Sequence, residues 1–586
     1  MMGSDKPWER SKAVRPTRRR SDPVITPELP GSAGPFSGED SEAEIWSRLS
    51  PVSKDVLRCL LTRFGVHPAE EGRLLEEAAA GCWSGLELRA GLSGLQAAGA
   101  VQARLRFWGE RAVAVTAGSY LKWAAVASPW IAADEEAAHR SAASAVSGGG
   151  ALYSRALLGA LAELARSGPV LTVKGRLHGS TIKALEQAAG LSPESFIQLD
   201  PSLRLDYPGS VALVLDWSFS SGILRPGRAW SWDAQKLRTW LDEPLMQRER
   251  GLFRWILDRA VRRSAEAAAA ASVISSLRED VWYSVPKLEQ LCRSRSVWPA
   301  GCPGRDSAAW TGLLEWLAGC GWAEWGETEQ GESCFRLLLS AEGCGEDGDS
   351  EGDEPLLLQP DGDIWAGAWT SYRQLWPLEL VAERGEVREL TAYRLTEKSL
   401  KRSAALGIGA GQLREWLAGA SGAALPPQVE ALLAQCLPGT ESRSTLFAVE
   451  ESGEDAAGSS GRPCWQPSDP SLTFASLEPA PAAEVQPWLV LQAEKLPAAW
   501  TAAPRNYRPS ACRQLLESAV RLHIPVELHD GESAGIFVPL QVQGDGDGWA
   551  AEGFYRKDNE ARVPAMLIPG QVGRIRLHIP GNAPAR

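Results

Sequence analysis

One order of elements occurs twice in this chain, and it limits the available folds more than any other feature. Ser84 stands before Leu86, Leu88, Leu92 and Leu95, a helical spacing that stops at Gly99. Two alternating runs, Val101 to Trp108 and Arg111 to Thr116, flank Gly109-Glu110 and read as a hairpin. Much later, Ser307 to Leu317 predicts another helix, ended at Gly319. Gly321-Trp-Ala-Glu-Trp-Gly326 and Ser333-Cys-Phe-Arg-Leu-Leu-Leu-Ser340 follow it as a second hairpin. Helix, glycine, hairpin, twice over, marks the later unit as a diverged duplicate of the earlier one.

Helical patterns at Glu44 to Leu49, Val52 to Phe64 and Leu74 to Ala80 precede the first hairpin. Helices followed by a two-strand hairpin are the winged-helix plan, predicted here for residues 41–130 and 281–342. In that plan the last helix before the hairpin enters the major groove. Residues 85–96 offer it one Arg and one Glu, poor equipment for reading bases or holding phosphates. The first unit therefore reads as a structural or protein-docking module, with Arg104 and Arg106 as its nearby positive pair.

With 586 residues the chain has room for three or four domains at about 100–200 residues each. Its net charge of −12 argues against strong autonomous DNA binding, which draws on Lys and Arg neutralising phosphates. The ten Cys include no C-x-x-C pair, which points to neither a zinc site nor a disulfide framework and predicts a reducing, cytoplasmic setting. No apolar run approaches a membrane span, and Arg18-Arg19-Arg20 is not followed by the apolar core of a secretory signal. Residues 1–40 read as a disordered basic tail.

Residues 150–280 read as a mainly helical middle region. Tyr153 to Arg166 predicts an amphipathic helix stopped at Ser167-Gly168. Pro169 to Lys183 predicts a strand, a turn and a helix capped by Ser180 or Thr181. Lys174, Arg176, His178 and Lys183 cluster there as the best local basic patch. Asp233 to Ser276, Ala-rich with Arg248, Arg250, Arg254, Arg259, Arg262 and Arg263 among its charges, reads as a solvent-facing helix. Residues 343–354 form an acidic linker and 439–484 a second linker.

Residues 355–438 are the most informative stretch. Pro355-Leu-Leu-Leu-Gln-Pro-Asp-Gly-Asp-Ile-Trp365 reads as a hairpin around Pro-Asp-Gly. Leu390-Thr-Ala-Tyr-Arg-Leu-Thr-Glu-Lys-Ser-Leu-Lys-Arg402 reads as a strand, then a helix capped by Thr396. Two short helices follow, the second with Pro427 in its first turn. This order resembles the helicase-associated domain at the N-terminus of XPB-type DNA repair helicases, which also occurs in bacterial proteins without the motor. The segment from Pro169 is similar to what precedes that domain in motor-less members. Residues 485–586 predict a helix from Pro509, capped by Ser510, and strands at 524–528, 535–543, 549–555 and 574–579. They are similar to the WYL-like C-terminal domain of the same bacterial proteins, although no W-Y-L triplet is present.

No catalytic constellation emerges. Asp134-Glu135-Glu136-Ala137 imitates a helicase box, but no G-x-x-x-x-G-K-S/T loop exists to cradle phosphates. Gly343-Cys-Gly-Glu-Asp-Gly348 matches a dinucleotide fingerprint only literally, because acid and not a helix follows it. Asp361 and Asp363 sit at a turn, where Asp is favoured for its backbone hydrogen bonds. His523 and His529 read as surface residues. The expectation is an α+β, multidomain protein without catalytic, cofactor or metal residues: winged-helix-like units, a small α/β helicase-associated domain and a β-rich C-terminal domain. The resemblance implies an accessory partner of an XPB-like helicase in DNA repair, with DNA contact weak when the chain is alone. Phosphate contacts would come from Arg104, Arg106, Lys174, Arg176, Lys183, Lys398, Lys401 and Arg402. The alternative is a DNA-binding transcriptional or ligand-sensing regulator.

Overall fold

The computed structural model describes residues 41–79, 83–106, 109–127, 143–147, 152–168, 171–173, 175–190, 197–227, 230–294, 307–340, 354–367, 370–387, 390–437, 444, 447, 478–480, 496–530, 533–545, 547–557 and 563–578. Its elements are mixed α+β with several small sheets. They fall into two compact units, one within Ser37–Val490 and one within Leu491–Arg586. The acidic quartet at Asp134, the dinucleotide-like Gly343–Gly348, Lys174 and the tail 1–40 lie outside the described residues.

The larger unit opens with α1 (Glu42–Arg48) and α2 (Pro51–Cys59). Their caps Ser41 and Ser50 accept from the backbone N–H groups of Glu44 and Ser53. A π-helical turn over Leu60–Phe64 extends α2. Next come β1 (Ala69–Glu70), α3 (Glu71–Ala79), α4 (Gly85–Ala97), the hairpin β2 (Gln102–Leu105) and β3 (Arg111–Ala114), and α5 (Ala117–Ala127). Ser84 caps α4 in a capping box with Glu87. The strands pair in the order β1-β3-β2, with Val113 opposite both Ala69 and Ala103.

After β4 (Ala143–Ser147) the chain is helical: α6 (Tyr153–Ser167), α7 (Gly179–Ala189), α8 (Pro201–Asp206) and α9 (Gly209–Ser220). The two-residue strands β5 (Leu224–Arg225) and β6 (Ser231–Trp232) precede α10 (Ala234–Asp242), α11 (Leu245–Val261) and α12 (Ala265–Ser275). The expected cap of α7 is corrected. His178 occupies that position, and Ser180 and Thr181 lie inside the first turn. The solvent-facing helix expected at 233–276 is corrected too. It is three helices, and Ala267 to Ile274 are buried on every side of α12. Alanines leave no amphipathic stripe to read, yet they let neighbouring helices approach closely. Some of the arginines turn inward while Arg254 and Arg263 stay exposed: Arg248 is buried, and Arg259 Nη2 lies 2.8 Å from Asp216 Oδ1.

Then β7 (Trp282–Ser284), α13 (Val285–Ser294), α14 (Ser307–Gly319), β8 (Ala323–Thr328) and β9 (Ser333–Leu337) restate the earlier order. With α12 ahead of them, helix, strand, helix, helix, hairpin matches α2 through β3 element for element. The sheet order β7-β9-β8 matches β1-β3-β2. The helix ends agree bond for bond. Ala100 N–H donates to Leu95 O and Gly99 N–H to Gln96 O; Trp322 N–H donates to Leu317 O and Gly321 N–H to Ala318 O. Both glycines take positive φ, 70° and 75°, as such a terminus requires.

The third sheet, β10-β11-β13-β12, uses β10 (Leu357–Leu358), β11 (Asp363–Ala366), β12 (Glu383–Val387) and β13 (Thr391–Arg394). At the expected turn Asp361 Oδ1 accepts from Asp363 N–H at 3.3 Å. Between β11 and β12 runs α15 (Tyr372–Val381), a buried helix with Pro377 inside it. Helices α16 (Glu397–Ala405), α17 (Ala410–Ser421) and α18 (Pro427–Cys436) complete the region. Thr396 caps α16, and Pro427 stands in the first turn of α18. The expected linker 439–484 is partly docked. Ser444 N–H donates to Gln412 Oε1 at 3.0 Å, the Phe447 ring meets Trp416, and β14 (Glu478–Pro479) pairs with β2. The first sheet thus gains a fourth strand on the edge where the second sheet gains β4.

The smaller unit holds α19 (Ala498–Ala502), α20 (Pro509–Leu522) and the sheet β18-β17-β16-β15-β19. Its strands are β15 (Val526–Asp530), β16 (Ser533–Asp545), β17 (Gly548–Arg556), β18 (Val563–Leu567) and β19 (Arg574–Leu577). Arg508 caps α20 with Pro509 at its first position, so Ser510 is inside the helix and not its cap. Among the described residues no helix is long and apolar enough to cross a membrane.

Candidate functional site

The expected cations fall on three separate elements. Arg104 is on β2, where its Nη2 donates to Gln102 Oε1 at 3.3 Å, and exposed Arg106 follows it. Arg176 stands before α7 in an ion pair with Asp206, and exposed Lys183 is on α7 itself. Lys398, Lys401 and Arg402 share α16. There Lys401 pairs with Glu397, and Arg402 Nη2 lies 3.6 Å from Glu383 Oε1. The Glu397 carboxylate holds the Lys401 ammonium above the usual lysine range. Each of these pairs is open to water, which screens it, so a phosphate could replace the carboxylate at little cost.

A denser constellation lies inside the larger unit, where α6, α11, α14–β8 and α15 meet. Glu249 is fully buried on α11. Its carboxylate accepts from Ser154 Oγ on α6 and from Trp322 Nε1 at 2.7 Å. Ser154 Oγ also meets the Tyr372 hydroxyl on α15. The Arg248 guanidinium lies 3.7 Å from the Tyr372 ring centroid and donates to the carbonyls of Trp240, Leu241 and Glu243. Arg155 lies 5.4 Å from the same ring. Burial pushes the Glu249 carboxyl above the ordinary Glu value, opposed by the Ser154 and Trp322 hydrogen bonds and by Arg248.

About two turns along, Glu379 on α15 takes Arg384 Nη1 at 3.0 Å and the Tyr393 hydroxyl at 2.8 Å. Arg384 also reaches the Arg155 carbonyl at 3.3 Å, which ties β12 to α6.

Ser, Glu and Tyr side by side have the residue types of an acid–base site. Ser154, Glu249 and Tyr372 are each 0% exposed and Trp322 is 1%, so the cluster is sealed from solvent and substrate. What it can do is fix orientation. Four regions distant in sequence share one set of satisfied buried polar groups, and losing any member strands another.

In the smaller unit Glu527 on β15 is the centre of a second polar cluster. Arg576 donates to it through Nε at 2.9 Å and Nη2 at 2.6 Å, His529 Nε2 lies at 2.5 Å, and His578 Nδ1 at 3.4 Å. Burial alone would raise this carboxyl, but Arg576 and the histidines outweigh it and hold it below the usual range. The strand register puts Glu527 opposite Arg576, on the face away from α20. Val526, Phe537 and Leu577 are buried on the α20 face, where Trp549 Nε1 donates to Pro509 O at 2.8 Å. His529, read from sequence as a surface residue, is half-buried in this cluster.

Sequence reasoning found neither cluster. Their members are scattered along the chain, and none carries a local motif. The only signal for the first was a Ser, a Glu and a Tyr inside apolar helical runs, where a polar residue needs a partner. No protein-family model and no curated protein sequence matches this chain.

Proposed function

We propose that this chain is a non-catalytic accessory protein of an XPB-like DNA helicase. In this reading residues 41–130 and 281–342 are winged-helix-like units, 355–438 is a helicase-associated domain and 485–586 is a WYL-like domain. The observation that carries it is where the last helix before each hairpin faces. α4 spends Leu86, Leu88, Leu92 and Leu95 on its core and presents Arg89 as its one cation. α14 is buried through Trp310, Leu313, Leu314, Trp316 and Leu317. Neither helix presents a basic face to a groove, so these units hold position and dock on protein. Within 390–437 the motif residues Leu395, Leu400, Leu413, Leu417, Val429 and Leu433 are buried, which leaves the exposed helix faces for a partner. A chain of net charge −12 attracts a basic motor protein over distance.

The test is reconstitution with a purified XPB-like helicase. The expected result is co-elution on size exclusion and several-fold faster DNA-dependent ATP hydrolysis by the helicase, with no hydrolysis by the chain alone. Absence of a complex together with unchanged turnover would reject the reading. Sequence-specific duplex binding at ~150 mM salt without the helicase would replace it with the regulator.

A further inference from the structure

The described residues 171–173, 175–177 and 201–207 form a ridge with an unusual surface. The chain turns tightly at Thr172–Arg176: Thr172 N–H donates to Arg176 O at 2.7 Å and Gly175 N–H to Thr172 O at 2.8 Å. Val173 stands at this tip, fully exposed, and Leu205 on α8 is 85% exposed. Two contacts lock the segments together: the ion pair of Arg176 with Asp206, and Leu177 N–H donating to the Tyr207 hydroxyl at 3.1 Å. Arg204 on the ridge is exposed, as is Lys183 on the adjoining α7, and neither has a carboxylate partner among the described residues. Among the described residues its carboxylates are Asp206, already paired with Arg176, and exposed Glu186 farther along α7.

We propose that this ridge contacts DNA, with Arg176, Lys183 and Arg204 on phosphates and Val173 and Leu205 wedged against a deformed base step. The local charge is opposite in sign to that of the chain, which selects a polyanion. Cations flanking an aliphatic wedge suit a duplex that can be unstacked. A distorted step is preferred because part of its unstacking cost is already met. The inference concerns the isolated chain, so it holds or fails separately from the helicase reading.

Fluorescence anisotropy with the full chain tests it on two labelled short duplexes, one fully paired and one bulged. The bulged duplex should bind about tenfold more tightly. Affinity should fall about 20-fold between ~50 and ~150 mM salt, the dependence that three phosphate contacts give. The double variant Lys183→Ala/Arg204→Ala should reduce the log–log salt slope to about one third. Val173→Ala/Leu205→Ala should keep that slope and abolish the preference for the bulge. All four side chains are exposed, so the fold is expected to survive, as circular dichroism would verify. Equal affinity for the two duplexes, no binding at ~50 mM salt, or an unchanged slope in the cation variant would each overturn the proposal. So would an apolar variant that keeps the full preference for the bulged duplex, since Val173 and Leu205 would then not be the wedge.

Discussion

The two helix-and-hairpin units share element order, strand order and the hydrogen bonds that end their third helices, yet they occupy opposite situations. The first packs with Leu and Ala, and the position after its terminal glycine is Ala100. The second puts Trp322 at the equivalent position. That indole meets Tyr153, Phe253 and Trp316 at centroid distances of 6.2, 5.5 and 5.9 Å and donates to Glu249. One substitution, small to aromatic, places at this step of the second unit a ring that the middle helices close around, while the first unit meets those helices elsewhere, at Gly65 against Ala265. A shared fold plan thus fixes the path of the backbone, and side-chain size at a few positions decides what the unit is for.

The largest expected effect tests that statement directly. Trp322→Ala should destabilise the larger unit by about 3–5 kcal/mol, because it opens an aromatic-sized cavity and removes a donor from a buried carboxylate. Ala100→Gly in the first unit should cost about 1 kcal/mol or less. Urea unfolding followed by tryptophan fluorescence measures both. If the two variants cost the same, the second unit is not the centre of the structure.

A smaller effect should come from the buried carboxylate that Trp322 serves. Glu249→Gln leaves one of two donors facing an amide N–H instead of an oxygen, a loss of about 1–3 kcal/mol. Its pH signature is more telling. Burial raises the folded-state value of Glu249, so between the ordinary Glu value and that higher one the native state holds more protons than the unfolded state. Stability should therefore fall as pH rises through this window, and Glu249→Gln should remove that part of the slope. A wild-type profile that instead rises with pH and is unchanged in the variant would show that Glu249 is ionised at no cost.

What was legible in the sequence was local. Ser84, Thr396 and Pro427 marked helix starts because a cap acts within three residues of itself, and Gly99 marked an end for the same reason. Where two local candidates competed, chain geometry decided: Pro509 took the first helical position and displaced Ser510, and His178 stood where Ser180 was expected. The burial of α12 was hidden because alanine fits both a surface and a close helix contact. Helix α15 was hidden by Pro377, which ordinarily argues against a helix interior. Strand β14 is two residues long and has no pattern of its own. At the candidate contact sites the cations were visible, but Asp206, Glu383 and the sealed Glu249 cluster depend on tertiary neighbours that no spacing rule reaches.

The smallest expected effect is also the most discriminating about common origin. Gly99 and Gly321 both hold left-handed backbone at the same step of the same helix ending. A Cβ added to Gly99 would meet nothing within 4 Å, so Gly99→Ala isolates the conformational cost, about 1 kcal/mol. If the two endings are one device used twice, Gly321→Ala should cost nearly the same despite the tryptophans around it. Asn at either position should cost less than Ala, because its side chain tolerates the left-handed region. A Gly321→Ala penalty several kcal/mol above that of Gly99→Ala would mean that the aromatic packing has taken over the turn, and that the two units share their order of elements without sharing the physics that ends their third helices.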